Sequence, residues 1–303
     1  MVEVASIPVG AGPDPLCVTG DGRRVLVSNV ETDTVSVIKL GPAAVGRTIP
    51  VGGSPAGIVT AMGASRAYVI VRRAAQPARL AVIDTGSGVV GRVRLVGSPG
   101  ELARGGQGRL VYTADRAAGT VSVVDPGAGV VGQVRLDAGT RPGPMVLGPG
   151  GRLYLSGQVD GEGILAAVDT GRRVVVDRLR FPFRPGRLAL APDGRRLYVT
   201  SPADGEVWVV QTTGALTPIG AAIPVGDGVS GVAVSPDGRL LYITDGKATV
   251  SIFGTSDHRP RATPVVVGDT PLTVVTGPDY RHAFVSVFGS NTVAILTVTS
   301  QHP

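Results

Sequence analysis

The chain has 303 residues, 43% of them hydrophobic, with 45 glycines, 24 prolines and only 4% aromatics. That composition allows a large core of Val, Leu, Ile and Ala joined by many tight turns, and it argues against a helical protein. The net charge is +6, but the arginines look scattered and few aromatics are available to stack on bases, which argues against a nucleic-acid partner.

In chain order, the first recognisable segment is Ile7-Pro8-Val9-Gly10, a strand end that recurs as Ile49-Pro50-Val51-Gly52 and Ile223-Pro224-Val225-Gly226. A repeating unit then opens at Pro15 and again at Pro55, Pro99, Pro142, Pro185, Val229 and Pro271, at intervals of 40 to 44 residues. Within each unit a short apolar strand is followed by a turn such as Gly20-Asp21-Gly22, Pro192-Asp193-Gly194 or Pro236-Asp237-Gly238. Asp-Gly between apolar runs signals a hairpin, because glycine accepts the positive φ the turn needs. A second strand follows (Val25-Leu26-Val27-Ser28, Leu241-Tyr242-Ile243-Thr244), then a polar loop, a third strand (Thr34-Val35-Ser36-Val37-Ile38) and a fourth ending in Val-Gly.

Four short antiparallel strands every 43 residues or so define a propeller blade, and seven units predict an all-β, seven-bladed β-propeller in one domain. A lone four-stranded sheet cannot bury both faces, whereas blades stacked around an axis bury each other. The seventh unit ends after its third strand, Thr292-Val293-Ala294-Ile295-Leu296. Residues 1–14 are therefore expected to supply the missing outer strand of the last blade and close the ring.

Tyr198-Val199-Thr200-Ser201, Tyr242-Ile243-Thr244-Asp245, the Ser-Pro-Asp-Gly turn and the Ile-Pro-Val-Gly strand end resemble the Tyr-Val-Thr-Asn (YVTN) repeat of surface-layer and related propellers. The resemblance covers essentially the whole chain. It implies the propeller fold and leaves function open, because the family spans surface, periplasmic and enzyme-associated proteins.

Function is expected at the axial funnel, lined by the first strand of each blade. Counting the opening residue as zero, positions +3 and +5 should pack between blades and the small residues at +4 should form the channel wall. Position +2 (Cys17, Gly57, Glu101, Pro144, Arg187, Gly231, Thr273) should face the mouth. Glu101 and Arg187 are the charges there, read as acid or base and as anion anchor, since a low-dielectric mouth strengthens both roles. Cys17 and Thr273 join them as ligand contacts. Arg104 stands at a +5 position that is apolar or small elsewhere, and blade three departs furthest from the repeat. Arg72, Asp115 and Arg116 on the loops between second and third strands, with Arg141 and Arg184 ahead of the inner strands of blades four and five, complete the expected binding face.

Metal, haem and dinucleotide motifs are lacking: His258, His282 and His302 have no ligand spacing, and no helix follows Gly105-Gly106-Gln107-Gly108 to cradle a phosphate. The expectation is a small-molecule site that works without cofactor or metal, in a monomer, with lyase, isomerase or cyclase chemistry as its catalytic form. The alternatives are a non-catalytic protein-interaction scaffold using the loop face and an exported surface or periplasmic propeller. One cysteine forms no internal disulfide, no signal peptide is evident, and no apolar run reaches the ~18 residues of a membrane span. These features read as cytoplasmic, with an exported protein as the alternative.

Overall fold

The computed structural model describes residues 2–41, 43–61, 63, 65–106 and 109–298, so Gln107 and Gly108 of the glycine-rich segment lie outside the described residues. Its strands form seven antiparallel sheets arranged as a ring. In blade two the strands run Ser54–Thr60, Arg66–Arg73, Gln76–Asp84 and Gly88–Arg94 from the axis outward, and the other blades follow the same plan. In blade five the outer strand is broken into Thr217–Pro218 and Ile223–Pro224, both paired with Glu206–Gln211. The only helical segment among the described residues is the 3-10 turn Pro149–Gly151.

The ring closes as the repeat predicts. Val2–Pro8 pairs with Thr292–Val298, from Val2 opposite Val298 to Pro8 opposite Thr292. Asn291 then holds the chain as it leaves for blade one, accepting from Val9 N–H at 3.0 Å and, through Oδ1, from Gly12 N–H at 2.9 Å.

Seven apolar clusters lie between neighbouring blades. The inner strands feed them in strict alternation. The +3 side chains (Leu16, Ile58, Leu102, Met145, Leu188, Val232, Val274) pack toward the preceding blade. The +4 side chains (Cys17, Val59, Ala103, Val146, Ala189, Ala233, Val275) pack toward the following one. The +4 residues are therefore core and not channel wall, a correction that follows from strand geometry. Successive side chains leave a strand on opposite faces, and both faces of a blade meet another blade.

That alternation also resets blade one. Cys17 stands opposite Leu26, just as Val275 stands opposite Phe284 and Ala233 opposite Tyr242. Its opening residue is thus Pro13, two places before Pro15, and the interval to Pro55 is 42 residues. The +2 residue of blade one is Pro15, and Cys17 belongs to the packing between blades one and two. The sequence offers two prolines at this point, and only the register of the hairpin tells them apart.

Second-strand hydroxyls tie the inner ring together. Thr244 Oγ1 accepts from Gly231 N–H at 2.6 Å and donates to Leu272 O of the next blade at 3.0 Å. Thr200 and Ser286 accept likewise from Arg187 N–H and Thr273 N–H, and Ser156 Oγ donates to Gly186 O of the next blade. Blades one to three lack this link: Pro15 has no N–H to give and Ser28 Oγ is buried without a partner, while Ile70 and Ala114 stand where the hydroxyl would be in blades two and three. The ring is tight enough that a Cβ on Gly231 would fall against Leu272 O, which accounts for glycine at this +2 position.

Candidate functional site

The mouth of the axial channel is organised by a residue that sequence reasoning missed. Asp14, immediately before the blade-one +2 position, is largely buried and accepts hydrogen bonds from three sources. Arg187 Nη2 reaches across the axis from blade five to its Oδ2 at 3.0 Å. Thr273 Oγ1 donates to its Oδ1 in a short contact, and Ser286 Oγ approaches the same oxygen at 3.4 Å. An opening of blade one at Pro15 hides Asp14, because every other +1 position is uncharged (Ala56, Gly100, Gly143, Gly186, Ser230, Leu272). Arg187 and Thr273, both expected to face a ligand, are instead engaged by Asp14.

Glu101 enters the same field from blade three. Burial pushes its carboxyl above the ordinary value of 4.5. Arg187 opposes the rise, Asp14 adds to it, and Arg72 opposes it again. No hydrogen bond within the protein satisfies the carboxyl among the described residues. It is thus a carboxyl held toward its protonated form, able to donate as well as accept.

Beside Glu101, on the loop face, lies a cavity of about 280 Å³. Four consecutive blades each send an arginine to it: Arg72 from the end of a second strand, Arg116 from the following loop of blade three, Arg141 from the start of the blade-four inner strand, and Arg184 from the entry to blade five. Arg72 lies across Gly100, where an added Cβ would come within 2.8 Å of its Nη2. Arg116 donates to Gln158 Oε1 at 3.5 Å. The guanidinium groups of Arg72, Arg141 and Arg184 make no hydrogen bond or ion pair among the described residues. Glu101 is the only carboxylate among the residues that line the cavity, so its field is strongly positive.

The remaining expected residues stand elsewhere. Asp115 is buried, and its carboxylate accepts from the N–H groups of Ser98 (2.8 Å), Ala117 (2.9 Å) and Ala118 (3.0 Å), fixing the loop rather than facing the cavity. The approach is so close that a Cβ on Gly97 would fall onto Asp115 Oδ2, and Gly97 has a φ of +68°. Arg104 is exposed at the far end of the blade-three inner strand, away from the cavity-lining residues. Burial pushes the Cys17 thiol up to about 12, with a smaller opposing pull from Arg104, so it is held as a thiol and is a poor nucleophile. Among the described residues no three His, Cys, Asp or Glu side chains gather as a metal site, and no helix is long and apolar enough to cross a membrane.

A scan against protein families finds no match. A search of characterised proteins finds no similar sequence. Solved structures do match in shape. Kuenenia stuttgartiensis hydrazine synthase superposes with a TM-score of 0.85 at 18% identity, over 95% of this chain and 96% of that one. The β-propeller domain of Myceliophteria thermophila Cps50 (Swd1) superposes with a TM-score of 0.77 at 14% identity, over 97% and 98%. At these identities the likeness establishes the seven-bladed β-propeller fold. One neighbour is named as an enzyme and the other as a propeller domain.

Proposed function

We propose that the protein binds a compact polyanion, carrying carboxylate or phosphate groups, in the cavity bounded by Arg72, Arg116, Arg141 and Arg184, with Glu101 as the proton-exchanging group at its inner wall. The observation that carries this reading is the convergence of four guanidinium groups on one cavity, three of them unsatisfied by any protein partner. Guanidinium forks match carboxylate and phosphate oxygens in pairs, and pockets on a rigid scaffold need little reorganisation to bind.

Arg187 is not the anion anchor expected from its position. Paired with Asp14, it is a positioning residue that fixes the charge beside Glu101. The arrangement suits proton transfer at a carbon next to a bound carboxylate, the chemistry of cofactor-free lyases and isomerases, and Glu101 is the group that would carry it. The kinship with YVTN propellers belongs to this same reading and rests on the blade motif, whose threonines Thr200 and Thr244 tie the inner ring.

Isothermal titration with citrate, inorganic phosphate and a neutral sugar tests the proposal. Citrate or phosphate should bind and the sugar should not. R141A/R184A should weaken the anion by at least about tenfold, that is about 1.4 kcal/mol. Absence of binding by both anions, or an unchanged affinity in R141A/R184A, would overturn it.

A further inference from the structure

The net charge of +6 is concentrated on one blade. Residues 54–98 hold six arginines (Arg66, Arg72, Arg73, Arg79, Arg92, Arg94) against a single acid, Asp84. Arg72 faces the cavity described above. Arg73, Arg79, Arg92 and Arg94 instead gather at the outer rim, where they line shallow grooves. Arg73 donates through Nε to Gly52 O in a short contact. A Cβ on Gly52 would lie 2.9 Å from Arg73 Nη2 and 3.9 Å from Arg92 Nη2, so these two guanidinium groups converge there. The guanidinium groups of Arg79, Arg92 and Arg94 have no hydrogen bond or ion pair among the described residues.

The register makes the concentration unusual. Arg79 stands directly opposite Arg94, and Arg92 follows on the same face two residues earlier. Like charges directly opposed across a sheet are destabilising. At the equivalent pair four other blades have Thr34 opposite Pro50, Thr120 opposite Arg135, Thr249 opposite Val266 and Thr292 opposite Pro8, and the remaining two have Ile164 opposite Arg180 and Glu206 opposite Pro224. Blade two alone among these replaces the threonine with a second cation. The strand Gly88–Arg94 is the last of its sheet, and its outer edge pairs with no other strand among the described residues.

We propose that this rim is a docking surface for an acidic, extended segment of a partner protein, which adds to the edge of Gly88–Arg94 as a fifth strand and sets carboxylates against Arg79, Arg92 and Arg94. Main-chain bonds to a free sheet edge supply affinity, and side chains at alternate positions supply selection. Alternate residues of an extended chain are about 6.8 Å apart and share a face, which is the repeat that Arg92 and Arg94 present. The residues lining the groove are Gln76, Pro77, Arg79, Arg92 and Arg94, with no aromatic among them to stack on a base, so the surface favours a peptide over a single-stranded nucleic acid.

The test uses the full chain and fluorescence anisotropy. The probes are a labelled nine-residue peptide alternating Glu with Val or Thr, a peptide of the same composition with its glutamates contiguous, and a short single-stranded DNA. The alternating peptide should bind best, and R92T/R94T should weaken it by at least about tenfold, while R141A/R184A leaves it unchanged. The thermal melt of R92T/R94T should rise, since it removes the opposed charges. Equal binding of the contiguous peptide, tighter binding of the DNA, or unchanged peptide binding in R92T/R94T would overturn the proposal. So would a lowered melting temperature in that variant, because it would assign the arginines to holding the blade together.

Discussion

Asp14 gathers three blades at one carboxylate, receiving Arg187 from blade five and Thr273 and Ser286 from blade seven. Both charges are more than two-thirds buried, so removing one partner leaves the other poorly hydrated. D14A should therefore cost about 1–3 kcal/mol, and R187A a similar amount, by chemical denaturation. The double variant D14A/R187A should lose less than the sum, with a coupling of about 1 kcal/mol; strict additivity would show that the pair is incidental. Glu101 gives the second prediction. Its folded pKa is raised, so the folded state holds the proton more tightly than the unfolded chain does. Any stability this group adds is present below its unfolded pKa and fades as pH rises through the folded value. E101Q cannot ionise, so its stability should gain on the parent as pH rises above 4.5, measured by parallel melts from about pH 4 to about pH 8. The same sign governs binding: a polyanion in the cavity favours protonated Glu101, so citrate affinity should fall with rising pH in the parent and fall less in E101Q. Parallel pH profiles for the two proteins would remove Glu101 from the site.

The inner strands explain how much of this can be read from residues alone. Blade number, strand order and the closing strand are legible because each rests on a pattern repeated seven times, and a repeated error would have to be made seven times. The side-chain directions at +3 follow from the period of two and hold in every blade. The +4 positions mislead because their residues are small, which suits a channel wall as well as a crowded face; only the clusters between blades distinguish the two. Glu101 is placed at the mouth by position, and the arginines of the cavity by the loops that carry them. Asp14 is not legible, because Pro13 and Pro15 are both acceptable openings and the choice depends on which residue stands opposite Leu26. The ion pair joining Asp14 and Arg187 links residues 173 apart in sequence. No local pattern predicts such a contact; it is a property of ring closure.

The ring as a whole depends on one joint that the chain makes without covalent help. Val2–Pro8 completes the last sheet, and Ile7 is buried between the last blade and the first. Without this strand Thr292–Val298 would become a bare apolar edge, and an unprotected edge invites pairing with other molecules. The joint also fixes the geometry of the proposed site, since Asp14 follows the closing strand and meets Thr273 and Ser286 only when the seam is shut. Deleting residues 2–10 should therefore broaden the thermal melt and abolish anion binding together. The informative variant is a circular permutant, because the antiparallel register places Val2 beside Val298. Joining Val298 to Val2 through a short hairpin turn, and opening the chain between Gly10 and Pro13, keeps every strand pair and makes the seventh blade continuous. Its melting temperature should stay within about 2 °C of the parent, equivalent to about 1 kcal/mol or a little more for a domain of this size. Its citrate affinity should match the parent. A permutant that folds as well as the parent yet fails to bind would mean that the path of residues 10–13, and not closure of the sheet, holds Asp14 and the cavity in place.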